Sequence, residues 1–152
     1  MKITLRQPTD SEWHVIYDLA VAAVPWDDKG NQEWLTNRMT FKGRRQHYVA
    51  DSNGQLMGYG GVEEGLETGV FRVFIVMAAE HFSTVGEVLY RQLCEDLNAL
   101  NAHRVWVREY ASDDTIQAFF ARHGFSEQER FRIEGFEEMV VMSRSLRSEN
   151  NK

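Results

Sequence analysis

The stretch Glu80-His81-Phe82-Ser83-Thr84-Val85-Gly86-Glu87 lies between a long apolar run and an amphipathic stripe of leucines. That position marks a helix N-terminus. First-turn amides and the helix dipole attract anions at such a point, and Ser83 and Thr84 would add hydroxyl donors. The same residues fit a plainer pattern. Thr84 and Glu87 have capping-box spacing, with Thr84 as N-cap and Glu87 three residues on. A capped helix still has free amides in its first turn, so the two readings are compatible. Glu80 and Glu87 would repel a phosphate unless they point away.

Other residues offer proton transfer. Glu63 and Glu64 close a strand and can deprotonate an amine, directly or through water. Adjacent strand residues face opposite ways, so at most one of them points into any cleft. Their ordinary reading is as solvated turn residues. Tyr110 ends another strand and can give a proton, although a strand-end tyrosine commonly just forms a rim. The five histidines lack the i, i+3 or i, i+4 spacing of helical metal ligands, so no metal is assigned. Neither GxxxxGK[ST] nor GxSxG occurs, which removes the P-loop and nucleophile-elbow readings.

These residues need elements to hold them. Ile3 and Leu5 alternate with polar neighbours as a strand, which Pro8 stops. Thr9 and Glu12 have capping-box spacing ahead of a helical stripe of Trp13, Ile16, Tyr17, Ala20 and Val24, ended by Pro25. Residues 26–30 read as a loop, and 31–41 as a second, shorter helix carrying Trp34, Leu35, Arg38 and Met39. The basic run Lys42-Gly43-Arg44-Arg45 reads as a solvated loop. HYVAD and QLMGYGGVEE flank Ser52-Asn53-Gly54 as a hairpin. TGVFRVFIVM is apolar enough for a central strand buried on both faces.

Val85, Leu89, Leu93, Leu97 and Leu100 then share one helical face. HRVWVREY is a further strand. Residues 112–125 form a helix capped at Ser112 or Asp113 and stopped by Gly124. FRIEGF and EMVVMSRSL close the chain as an antiparallel pair, giving the order β, α, α, β, β, β, α, β, α, β, β. Residues 1–147 read as one domain and 148–152 as a polar tail.

Composition narrows the function classes. With 152 residues, 43% hydrophobic and 26% charged, the chain has the profile of a globular protein. A net charge of −6 offers no broad field for nucleic acid or acidic membranes, and it favours, weakly, a cationic partner such as an amine. Cys94 is the only cysteine, which excludes an intrachain disulfide. No apolar run approaches the ~20 residues of a membrane span. The N-terminus lacks a signal-peptide core, so the cytoplasm is the default location.

The order of elements resembles the GNAT superfamily of N-acetyltransferases across nearly the whole chain. The resemblance implies an α+β, α/β/α-type fold: a mixed, mostly antiparallel sheet of about seven strands flanked by about four helices. It also implies acetyl-CoA as co-substrate and a small-molecule or peptide amine as acceptor. In that superfamily the central strand runs into Arg/Gln-x-x-Gly-x-Gly/Ala, whose amides hold the pyrophosphate. The pattern falls on His81, Phe82, Ser83, Thr84, Val85 and Gly86 in a degenerate form. Gly86 fits; His81 stands for Arg or Gln, Thr84 for the first glycine, and Ala78 where many members have proline.

Histidine replaces the charge-assisted contact of arginine only in its protonated form. By the same resemblance Val76, Met77 and Ala78 lie along the cofactor arm, and the backbone near Val76 polarises the thioester carbonyl. The tyrosine that protonates the leaving thiolate is replaced by Phe120, ahead of a matching Gly124-Phe125. Phe120 can wall the pantetheine channel, or it and Phe119 can simply pack the core. Tyr110 is then the candidate acid, Glu63 or Glu64 the candidate base, and Trp26, Trp34 and Met39 the candidate substrate entrance. Departures at functional positions also fit another reading, a CoA-binding or regulatory module of weakened catalysis. A third reading is a structural domain that dimerises through its terminal hairpin.

Overall fold

The computed structural model describes residues 2–23, 28–133, 135 and 137–146, with the side chains of 28 and 29 left aside. Its frame is a sheet of seven strands among the described residues: β1 (Thr4–Arg6), β2 (Arg45–Ser52), β3 (Gln55–Glu64), β4 (Val70–Met77), β5 (Arg104–Tyr110), β6 (Ser126–Arg132) and β7 (Glu138–Ser145). The spatial order is β1-β2-β3-β4-β5-β7-β6. Only β4 and β5 run parallel. Among the described residues four α-helices flank it: α1 (Trp13–Ala23), α2 (Asp28–Met39), α3 (Glu87–Ala99) and α4 (Asp114–Arg122).

The expected order of elements and the expected fold class are both found. Asn53 and Gly54, at φ 54° and 87°, turn β2 into β3 as the sequence predicted. The left-handed pair is what a two-residue hairpin turn demands. In the first capping box the Thr9 N–H donates to Glu12 Oε1 at 2.9 Å. Asp113 caps α4, its carboxylate accepting from the Ile116 N–H at 3.1 Å, and Gly124 at φ 91° stops that helix.

Alternation along β4 explains its burial on both faces. Val73, Ile75 and Met77 enter the core under α3 and α4, whereas Phe74 and Val76 enter a second core under α1 and α2. On the first side Val85, Leu89, Leu93 and Leu97 are buried, and Leu100 packs at the rim. Gly60 lets this helix close on the sheet: a Cβ there would meet Leu89 Cδ2 and the Phe74 carbonyl at 2.8 Å.

Four sequence expectations are corrected. The strand expected around FRIEGF lies earlier, at Ser126–Arg132. Asp28, Lys29 and Gly30 begin α2 rather than forming a loop, and at 12 residues α2 is not shorter than the 11-residue α1. Val24, Pro25, Trp26, Glu134 and Phe136 lie outside the described residues, as does the tail. The capping box of Thr84 and Glu87 does not form, because winding begins earlier, with a 3₁₀ turn at Ala79–His81 and a π-type turn at Phe82–Gly86. Thr84 Oγ1 instead donates to the His81 carbonyl at 3.3 Å. The basic run is not simply solvated: Arg44 forks onto Glu64, and Arg45 Nη1 donates to the Arg38 carbonyl.

Candidate active site

The site begins with an interrupted ladder. β4 and β5 pair only through Val70↔Arg104, Phe71↔Val105 and Arg72↔Trp106. Beyond Arg72 and Trp106 the two strands part. Their carboxyl ends, which include Val73, Ile75, Val76, Glu109 and Tyr110, wall a narrow gap of about 30 Å³. Ligand crevices in sheets with parallel strands form at such carboxyl ends.

A cavity opens at each mouth of the gap. On the α3 side, about 230 Å³ is enclosed by Ile75, Met77, Ala78, Phe82, Glu109 and Ile116, with Ala22 and Ala23 from the end of α1. On the α2 side, another of about 230 Å³ is walled by Trp34, Arg38, Arg72, Arg108, Tyr110 and Met139, among others. Ile75 and Glu109 belong to the first cavity and to the gap; Arg72, Arg108 and Tyr110 belong to the second and to the gap. The gap therefore joins two chambers on opposite faces of the sheet.

The sequence-predicted residues divide between these places. Val76 walls the gap; Met77, Ala78 and Phe82 line the α3-side cavity. His81 is half-buried and is not among the residues that line the cavity, and Ser83 and Thr84 are exposed. Neither Thr84 nor Gly86 has positive φ, so this backbone does not require the missing glycine. Gly86 serves packing instead, since a Cβ would lie 3.2 Å from Phe82 Cδ1 and 3.4 Å from Phe119 Cε1. Val85 is fully buried.

Glu87 turns away from the helix mouth to bond Arg122 and His123, each at 3.0 Å. Burial pushes its carboxyl up, but those two hydrogen bonds outweigh it and leave the pKa below its usual value. Phe120 is enclosed between Tyr90, Phe119 and Phe125 at 0% exposure, the core-packing alternative of the sequence reading. Tyr110 is buried at the gap, on its α2-side wall.

Glu63 and Glu64 do face opposite ways, but neither is a solvated turn residue. Glu64, under α3, is gripped by Arg44 and accepts the Gly69 N–H at 2.7 Å, which holds its pKa at about 2. Such a carboxylate is a poor base. Glu63 is buried under α2, where Arg38 Nε donates to Oε2 at 2.7 Å. Burial raises its pKa against the pull of Arg38, Arg72 and Arg45. Of the suggested entrance residues, Trp34 lines the α2-side cavity, whereas Met39 is exposed away from it.

Two features escaped the sequence reading. Glu109 lines both the gap and the α3-side cavity, and burial, then the nearby Asp113, push its pKa up to about 8 despite Arg72 and Arg108. Alternation in HRVWVREY could have found it, since Glu109 shares a face with the core residues Val105 and Val107. The second is the set of arginines on the α2-side cavity. A lone arginine at 72 inside the apolar run VFRVFIVM was the signal.

A mixed sheet opened between two parallel strands, with a helical turn at the mouth of the gap, is the GNAT fold. The family model described as an acetyltransferase (GNAT) domain matches residues 18–146, and the chain belongs to that family. By sequence, no curated protein matches. Among solved structures, a GNAT-family acetyltransferase from Staphylococcus aureus aligns with TM-score 0.81 at 15% identity, covering 96% of this chain and 100% of that one. The ribosomal-protein-S18-alanine N-acetyltransferase of Escherichia coli aligns with TM-score 0.75 at 18% identity, over 98% of each chain. The spermidine/spermine N-acetyltransferase SpeG of Vibrio cholerae gives 0.68 at 18%, over 95% of this chain and 92% of that one. At these identities the likeness is one of fold.

Proposed function

We propose that this protein transfers the acetyl group of acetyl-CoA to a primary amine by direct attack, without a covalent enzyme intermediate. The observation that carries the reading is the gap between β4 and β5, with a titratable carboxyl on its wall and a chamber at each mouth. The α3-side chamber suits the donor: Ile75, Met77, Phe82 and Ile116 offer apolar walls for a pantetheine arm, and the helical winding that begins at Ala79 would turn its positive dipole end to a pyrophosphate. Glu80 and Asp113 on the same chamber weaken anion binding, as does histidine at 81. The α2-side chamber would then admit the amine.

Bound acetyl-CoA would supply an electrophilic thioester carbon, which the backbone near Val76 would polarise. Glu109 would manage the protons. Its carboxylate takes a proton from the amine nitrogen as the C–N bond forms, and the resulting acid gives a proton to sulfur as the C–S bond breaks. A pKa of about 8 suits both halves of that relay near neutral pH. This relieves Phe120 of a task that it has no proton to perform. Tyr110 lies on the opposite wall, where its hydroxyl would orient the incoming amine rather than serve the thiolate.

A second reading, a CoA-binding or regulatory module, draws support from the complete burial of Phe120 where the family commonly has its acid. Two measurements separate the readings. Acetyl-CoA at 100 times its Kd should stabilise the fold by about 2.7 kcal/mol and raise Tm under either. Only the enzyme should release CoA in an amine-dependent way, with Glu109→Gln slowing release ~10²–10⁴-fold while the Tm rise persists. Release that is unaffected by Glu109→Gln would refute the relay; stabilisation without release from any amine would favour the module.

A further inference from the structure

The α2-side chamber holds more positive charge than its own protein contacts satisfy. Arg38, Arg72 and Arg108 all line it. Arg38 is 4% exposed, and while its Nε serves Glu63, its Nη1 is buried without a hydrogen-bond partner. Arg72 Nε is likewise buried and unpartnered, its guanidinium lying 5.7 Å from the Trp106 ring. Burial, then repulsion from Arg38 and Arg108, lowers the Arg72 pKa to about 10, which registers how closely the three charges converge.

The acidic groups nearby do not cancel them. Glu63 is committed to Arg38, with Arg45 3.9 Å away, Glu33 is exposed on the chamber's outer wall, and Glu109, which shares the gap with Arg72 and Arg108, is mostly protonated below its pKa of about 8. Those two N–H groups are closed off from solvent, so what the chamber offers a ligand is the charge of three converging guanidinium groups, which an anion would offset. Guanidinium forks match the planar oxygens of a carboxylate, and the same field repels a polycation. The chamber, at about 230 Å³, is also below the ~300 Å³ that begins the usual range of ligand pockets, so its occupant is small. Arg72 and Arg108 wall the gap as well, which sets the anion beside the point where an amine would react.

We infer that the acceptor is a small amine that also carries a carboxylate, an amino-acid-type molecule held through that carboxylate by Arg38, Arg72 and Arg108. The inference rests on the acyl-transfer reading above and narrows its substrate class. It keeps the amine expected from net charge and adds an anionic group, to suit the arginines that line the chamber.

The test compares three acceptor sets with the full chain: the L-α-amino acids, the same compounds as carboxamides, and spermidine, each at equal free-amine concentration. CoA release is measured, together with calorimetric binding of each acceptor to CoA-saturated protein. For at least one amino acid the carboxylate should win over its carboxamide by about 10–150-fold in kcat/KM, the range of a charge-assisted contact. Arg108→Gln, on an exposed side chain, and Arg72→Gln should each shrink that ratio to a few-fold while leaving the acetyl-CoA Tm shift intact. Carboxamides or spermidine used as well as the amino acids would overturn the inference. So would the absence of amino-acid binding and turnover in a protein that acetyl-CoA still stabilises, which leaves the acyl-transfer reading standing. Absence of any acetyl-CoA effect removes both.

Discussion

Replacing Glu109 by glutamine should stabilise the protein, and by an amount that depends on pH. In the folded chain Glu109 titrates at about 8, raised from 4.5 first by burial and then by Asp113. Below pH 4.5 its carboxyl is protonated in the folded and unfolded states alike, so wild type and variant should be nearly equal there. As pH rises, the unfolded chain releases that proton first while the folded chain retains it. The wild type therefore loses stability from about pH 4.5 to about pH 8, and the loss levels off above that. At about 1.36 kcal/mol for each pH unit of displacement the ceiling is about 5 kcal/mol. Solvent that still reaches Glu109 brings the expected gain above pH 8 to roughly 2–4 kcal/mol. Urea unfolding of both proteins at pH 5, 7 and 9 reads the difference, and groups common to the two cancel. The same difference at pH 5 and pH 9 would refute a raised pKa and would leave the proton relay without its basis.

Tyr110→Phe should raise KM for the amine by roughly tenfold through loss of one hydrogen bond, with acetyl-CoA affinity unchanged. A fall in kcat of ~10²-fold or more would instead return Tyr110 to the role of general acid. Phe120→Tyr should lower stability by about 1–3 kcal/mol in denaturant titration, because its hydroxyl would be enclosed without a partner among Tyr90, Phe119 and Phe125; a faster enzyme of unchanged stability would place that side chain on the cofactor channel. His81→Arg should tighten CoA binding at pH 8 about tenfold or more by calorimetry, restoring a charge-assisted contact at the mouth of the donor chamber. Unchanged affinity would mean that residue 81 does not reach the phosphates.

The fold was largely legible in the sequence because its signals are local. Asn53-Gly54 dictates a tight hairpin, the apolar run at 70–77 dictates a doubly covered strand, and Leu89, Leu93 and Leu97 dictate one buried helix face. Where local signals competed, the reading slipped. Thr84 and Glu87 have capping-box spacing, yet the chain already winds from Ala79, and Glu87 finds Arg122 and His123 on α4 instead. The site was less legible because it is made by pairing and parting. Nothing within 70–77 or 104–110 announces that their ladder stops after Arg72 and Trp106. Without that gap, Glu109 reads as one more charged residue near a strand end. The fates of Glu63 and Glu64 likewise depend on Arg38 and Arg44, 25 and 20 residues away.

The central claim is that the α3-side chamber and its helical turn receive the acyl donor. Hydrogen exchange with and without saturating acetyl-CoA tests it without presuming a substrate. Protection should concentrate in residues 76–88, strongest over 82–88, with a weaker response at 109–116, where Glu109, Asp113 and Ile116 wall the same chamber. Protection confined to the β6–β7 hairpin, or none at saturation, would contradict the account.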